Sequence, residues 1–137
     1  MKQSGSSSSA TGTEDKNFWG KLWKVEYVPK VKQFLWRLAH NSLPLRLNIA
    51  RRRMGIDTRS PVCGCLDEDG GYCFLKCKHV RKCWQGLDME GVRLHLIILS
   101  SAREVVYDIL NMPRERQRLV VSLLWAWWSA RNKAIAL

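Results

Sequence analysis

One stretch decides the fold class: Val28–Pro44, which reads VPKVKQFLWRLAHNSLP. Its apolar residues recur at positions i, i+3, i+4, i+7 and i+8, which is the spacing of one face of an α-helix. These residues are Val31, Phe34, Leu35, Leu38 and Ala39. The stretch therefore predicts an amphipathic helix. It ends at Asn41-Ser42, where either side chain can cap a following helix.

Further helices are predicted on both sides of this stretch. Trp19 and Trp23, one helical turn apart, indicate a short helix before it. Another helix follows, with Arg46 on its polar side and an apolar side made of Leu43, Leu47, Ala50 and Met54. A short helix from Cys77 to Gln85 leads to Trp84.

The last third of the chain predicts two more helices. Ser101 and Glu104 have the spacing of a capping box, which opens a helix through Leu110. A final helix runs from Arg114 nearly to the end. Its segment Leu119–Trp128, LVVSLLWAWW, is apolar on every side, so it is either buried or in contact with a partner.

The fold class is mainly α, with a long apolar C-terminal helix. The chain has 137 residues, enough for one modest core. Residues 1–15 are rich in Ser and Gly and are expected to be a disordered tail. Residues 16–137 form one helical domain, interrupted by an irregular cysteine-containing knuckle at about residues 58–77. Within it, Asp67-Glu68-Asp69 is interpreted as a solvated turn.

Charge is concentrated near the N-terminus. The formal net charge is +11, and residues 16–59 hold eleven basic residues against Glu26 and Asp57. Such a basic stretch is typical of proteins that bind RNA or DNA. The predicted contact residues are Lys30, Lys32, Trp36, Arg37, Arg46, Arg51, Arg52 and Arg53.

The tryptophans divide into two groups. Trp36 lies off the apolar stripe and beside Arg37, so its role in stacking nucleic-acid bases stays open. The other tryptophans considered are expected in the core, because a small helical domain needs large residues to close it. They are Trp19, Trp23, Trp84 and Trp127.

Targeting features are absent from the sequence pattern. No apolar run approaches the ~20 residues that span a bilayer, and the first residues lack the apolar region of a secretory signal. We therefore expect the nucleus or the cytoplasm. In a reducing compartment the five cysteines are thiols or metal ligands rather than disulfides.

The cysteines follow the spacing Cys63-x-Cys65, then Cys73, then Cys77. By itself this is a weak zinc pattern, because a single residue between two cysteines positions their thiolates poorly for binding one ion. The surrounding residues are more specific. VPKVKQFLWRLAHNSLP, LDEDGG, FLKCK and LLWAWWSARNK together resemble the reverse-transcriptase zinc-binding domain of plant LINE-type (non-LTR) retrotransposons. The resemblance covers about residues 16–137.

The resemblance implies four zinc ligands. In the family the knuckle reads C-P-x-C, with a later His and a last Cys. Carried onto this chain, the second cysteine of the family pattern falls on Cys63 and the last cysteine falls on Cys77. The first falls on Ser60 and the His falls on Tyr72, and neither is a good substitute for a thiolate or an imidazole.

Two interpretations of the cysteines stay open. In the first, the site is lost and the cysteines are thiols on a loop. In the second, Cys65 and Cys73 replace the missing ligands, with His79 in reserve. We favour the first because ligand geometry is strict. No cofactor is favoured, and zinc remains the alternative.

No catalytic constellation is present. His79 and Cys83 lie one turn apart, but a nucleophile pair also needs an orienting group and an oxyanion site. The sequence thus predicts a non-catalytic nucleic-acid-binding module derived from a retrotransposon polyprotein. The alternatives are a zinc-free helical interaction unit that binds a partner or itself through Leu124, Trp125 and Trp128, or a remnant with no selected role.

Overall fold

The structure, a computed structural model, describes residues 20–50, 55, 57–62 and 68–136. Trp19, the Arg51–Arg53 cluster, Cys63 and Cys65 lie outside the described residues. The described part is mainly helical, as predicted, and contains no strand. None of its helices is long and apolar enough to cross a membrane.

The described helical elements occur in the following order along the chain. Residues 20–24 are helical. They are followed by α1 (Pro29–Ala39), α2 (Arg46–Ala50), a π-helix (Tyr72–Lys76), α3 (Lys78–Gly86), α4 (Glu90–Ile97), α5 (Ala102–Leu110) and α6 (Arg114–Ala136). The second half of the predicted knuckle is therefore helical rather than irregular.

Helix α1 forms where the apolar spacing predicts it. Pro29 occupies its first turn, where a missing N–H costs nothing, and the apolar stripe from Val31 to Ala39 is buried. The helix ends because Asn41 adopts a left-handed conformation with φ of 54°, which asparagine tolerates better than most residues. The backbone N–H of Asn41 then donates to the Leu38 carbonyl.

The capping box of α5 forms with one change. Ser101 Oγ accepts a hydrogen bond from the Glu104 backbone N–H at 3.1 Å. The Glu104 carboxylate accepts instead from Ser100, from its N–H at 2.9 Å and its hydroxyl at 2.8 Å. In the simple motif one residue makes both contacts with the glutamate. Here Ser101 accepts from its backbone N–H and Ser100 donates to its carboxylate.

The core joins the N-terminal and C-terminal halves through aromatic rings. Phe34 of α1 contacts Phe74 of the π-helix with ring centroids 5.7 Å apart, and Trp125 of α6 at 5.4 Å. Trp84 is fully buried, as predicted, and its indole N–H donates to the Phe74 carbonyl at 2.9 Å. Trp127 is partly buried against this core.

The prediction that Trp23 lies in the core is wrong. Its side chain is 48% exposed rather than buried. The neighbouring Leu22 is fully buried, and successive residues of a helix point about 100° apart, so Trp23 faces away from the core.

Candidate functional site

The exposed side of α1 brings three of the predicted contact residues together. Lys30 and Arg37 are both exposed and lie seven residues apart, which is about two helical turns on the same side. Trp36 is 38% exposed, and its ring lies 4.1 Å from the ring of His40, centroid to centroid. We name Lys30, Trp36 and Arg37 the α1 surface.

Two other predicted cations are partly engaged by the fold. Lys32 is half-buried and its Nζ donates to the Trp23 carbonyl at 2.9 Å. Arg46 is half-buried at the start of α2. Lys30 also lies near α6, with its Nζ 5.8 Å from the Trp125 ring centroid, a cation–π distance. Lys30 and Arg37 are therefore the described cations of this set that are exposed.

The described cysteines of the knuckle lie in the core. Cys73 and Cys77 are 2% and 1% exposed, whereas His79 is exposed on α3. Burial raises the pKa of the Cys73 thiol well above its usual range, the charge of Glu68 raises it further, and Arg131 opposes both with a smaller effect. These surroundings therefore favour the neutral form of the Cys73 thiol.

The first ligand position carries a hydroxyl. Ser60 is 4% exposed, and its Oγ accepts a hydrogen bond from the Val62 N–H at 3.2 Å. Protein zinc sites use thiolate, imidazole and carboxylate ligands, so Ser60 and Tyr72 do not fit the site that the resemblance implies. Among the described residues, no three His, Cys, Asp or Glu side chains are grouped as metal ligands.

The acidic residues beside the cysteines are not all solvated. Glu68 is fully buried, which corrects the interpretation of Asp67-Glu68-Asp69 as a solvated turn. Its carboxylate accepts a hydrogen bond from Arg131 Nε at 2.7 Å and another from Arg131 Nη2. It also accepts the backbone N–H of Arg46 at 2.8 Å.

The backbone of Glu68 is bonded as well. Its N–H donates to the Thr58 carbonyl at 2.8 Å, and its carbonyl accepts the Leu47 N–H at 3.0 Å. The Arg131 guanidinium lies 4.8 Å from the Trp128 ring centroid. One glutamate therefore joins the start of the knuckle, α2 and α6. Sequence reasoning missed it because its partner is 63 residues away.

The apolar segment of α6 is used mainly by the chain itself. Leu124 and Trp128 are 1% and 7% exposed, and Trp125 is partly buried against Phe34. The prediction that these residues form a docking surface is corrected for Leu124 and Trp128, because a side chain that fills the core has little surface left for a partner. The segment LVVSLLWAWW was expected to be either buried or in contact with a partner. For Leu124 and Trp128 the structure shows burial.

Comparison with known proteins gives one finding. The family model described as zinc-binding in reverse transcriptase matches residues 3–84. No curated protein and no solved structure matches the chain. The matched range includes α1, α2, the knuckle and nearly all of α3, and ends at Trp84, which ties the π-helix to α3. The chain belongs to the family of zinc-binding domains in reverse transcriptase.

Proposed function

We propose that the chain is a non-catalytic module that binds RNA or DNA through the phosphate backbone. The observation that carries the proposal is the α1 surface, which places Lys30 and Arg37 on one exposed side of a rigid helix with Trp36 beside them. This surface lies in the segment with the greatest excess of positive charge. A helix that is already ordered loses little backbone freedom when its cations contact phosphates.

The mode of binding follows from these residue types. Lysine and arginine contacts to phosphates give affinity that depends on salt and discriminates little between sequences. An exposed tryptophan adds stacking on an unpaired base. We therefore expect single strands to bind more tightly than duplexes of the same length.

The family supports the absence of catalysis. Its domain is the zinc-binding part of reverse transcriptase and not the catalytic core. The residues at two of the implied ligand positions, Ser60 and Tyr72, do not suit zinc. We propose that this chain folds and binds nucleic acid without zinc, in the nucleus or the cytoplasm.

The test is a salt titration of binding to labelled oligonucleotides, single-stranded RNA, single-stranded DNA and duplex. The double variant Lys30→Gln/Arg37→Gln is compared with Lys24→Gln/Lys133→Gln, which removes the same charge from exposed positions elsewhere. Loss of two phosphate contacts lowers the slope of log K against log salt by about 1.4 for a single strand. The control variant changes the slope much less.

Trp36→Ala separates stacking from charge. We expect it to weaken single-strand binding by about fivefold or more, since stacking is worth ~1–3 kcal/mol per base, and to leave duplex binding nearly unchanged. The proposal is contradicted if the unmodified chain binds none of the oligonucleotides at about 50 mM salt, or if the control double variant loses as much as the α1 variant.

A further inference from the structure

A second group of cations lies on α3, outside the basic segment at residues 16–59. Val80 and Trp84 form the buried side of this helix. The cations Lys78, Arg81 and Lys82 are all exposed, as is Lys76 just before the helix. We name Lys76, Lys78, Arg81 and Lys82 the α3 surface.

The described residues provide no ion-pair partner for the α3 surface. The acidic residues that follow α3 are Asp88 and Glu90. Glu90 is engaged by Arg93 through bonds of 2.6 Å and 2.7 Å, although Arg81 lies close enough to contribute to lowering the pKa of Glu90.

Helix stability does not explain these charges. The first turn of α3 contains no acidic residue, and cations near that end oppose the helix dipole. Lys78 and Lys82 are also four residues apart, the spacing at which like charges repel. Unfavourable local charge arrangements of this kind are expected at functional sites, where a bound ligand offsets their cost in stability.

We propose that the α3 surface is a second phosphate-binding surface for a nucleic-acid strand. This inference rests on the proposed function and extends it to residues outside the basic N-terminal segment. Lys78 and Lys82 lie about 6 Å apart along the helix axis, which lets them contact neighbouring phosphates of one strand.

A nucleic acid suits this surface better than a membrane. Interfacial helices insert apolar side chains among lipids beside their cations. On α3 the large apolar residues Val80 and Trp84 point into the core, so the helix offers charge without an inserting side chain. Anionic vesicles therefore serve as the contrasting probe.

The main experiment compares two triple variants of the full chain. Lys78→Gln/Arg81→Gln/Lys82→Gln removes three charges from the α3 surface. Lys24→Gln/Arg116→Gln/Lys133→Gln removes three charges from scattered exposed positions. We expect the α3 variant to lower the single-strand salt slope by about 2 and the affinity at low salt by about tenfold or more. The scattered variant has a clearly smaller effect, and circular dichroism checks that both variants fold.

A second measurement needs no charge substitution. Cys83 is exposed on α3 beside Lys82, whereas Cys73 and Cys77 are buried. Its alkylation rate is followed in the unmodified chain by peptide mass spectrometry, with and without a single-stranded oligonucleotide. A strand on the α3 surface slows alkylation of Cys83 several-fold, and a neutral polymer of similar size does not.

The outcomes separate this inference from the proposed function. If the α1 variant loses binding while the α3 variant matches the scattered control and Cys83 stays reactive, the inference is wrong and the proposed function stands. If the unmodified chain binds no oligonucleotide, both are wrong. The inference is also overturned if anionic vesicles bind as tightly as the oligonucleotides and lose the same affinity in the α3 variant.

Discussion

Glu68–Arg131 and Glu26–Arg114 are ion pairs of the same chemistry in opposite surroundings. The side chains of Glu68 and Arg131 are 1% and 3% exposed. Those of Glu26 and Arg114 are 78% and 64% exposed, although the Arg114 Nη2 and Glu26 Oε2 atoms are only 2.9 Å apart. The first pair joins three segments of the chain, whereas the second lies in solvent.

The comparison shows that burial, more than the distance between the charged groups, decides whether an ion pair fixes the segments that it joins. A buried carboxylate must have every partner that water would have supplied, so its bonds fix the segments that provide them. An exposed pair loses little when it opens, because water replaces each partner. Lys30 and Arg37 of α1 and the cations of the α3 surface are exposed as well.

The largest expected effect comes from Glu68→Gln. The substitution leaves the Arg131 charge buried without its counter-ion, which costs about 3–5 kcal/mol in free energy of unfolding. Urea denaturation of the variant and the unmodified chain measures it. Glu26→Gln is the matched control and is expected to change stability by less than about 1 kcal/mol.

Replacing both partners sharpens the same comparison. Glu68→Leu with Arg131→Met removes the two charges together, so neither is left uncompensated, and we expect the double variant to be more stable than Glu68→Gln. If Glu68→Gln costs no more than Glu26→Gln, the pair does not hold these segments together as the structure indicates.

An intermediate effect is expected from Arg93→Lys. The Arg93 side chain is 8% exposed, binds Glu90 through two nitrogens and donates through Nη1 to the Leu75 carbonyl at 2.9 Å. A lysine keeps the charge but cannot reproduce this planar set of bonds, and a lost buried bond costs ~1–3 kcal/mol. Thermal unfolding measures it.

Arg59→Lys is the matched control for Arg93→Lys. Arg59 pairs with Asp57 at 3.2 Å, with both side chains more than half exposed. The same substitution there is expected to leave the Tm unchanged within error. Equal shifts in the two variants would show that burial of Arg93 has no part in the effect.

A smaller effect is expected from acid. Hydrogen bonds from Arg93 hold the pKa of Glu90 below its usual range, and burial opposes them with a smaller effect. A carboxyl whose pKa is lowered by folding stabilises the fold above its unfolded pKa, and that contribution is lost as the pH falls through the folded pKa. The difference in unfolding free energy between the unmodified chain and Glu90→Gln should therefore be present at neutral pH and shrink as the pH falls below the usual pKa range of a glutamate. A constant difference would contradict this.

The smallest expected effect is that of a chelator. Because Glu68 and Arg131 join the knuckle to α2 and α6, and Ser60 and Tyr72 do not suit zinc, we expect EDTA to leave the Tm and oligonucleotide binding unchanged. Metal analysis of the purified, reduced chain should give far less than one zinc per chain. A one-to-one content, lost with EDTA together with stability, would show that a metal and not the ion pair holds the knuckle.

Local patterns in the sequence predicted much of the helical framework. The buried stripe of α1, the cap at Ser101 and the start of α6 at Arg114 all follow from residues within one or two helical turns. Trp23 was placed wrongly because helical spacing shows that two residues share a face and not which face meets the core. The π-helix was not predicted, because the cysteine spacing of this segment indicates an irregular knuckle. Its helical conformation depends on packing against Trp84, which no local pattern shows.

The sequence by itself determined the excess of positive charge and the apolar face of α1, since each depends only on residue identity and local spacing. The assignment of Ser60 and Tyr72 to two ligand positions depends on the family resemblance. Only the tertiary structure decided that Glu68 is buried against Arg131 and that Lys78, Arg81 and Lys82 share an exposed surface without ion-pair partners among the described residues. Burial and pairing depend on residues distant in the chain, and no local pattern encodes which of two glutamates is surrounded by protein.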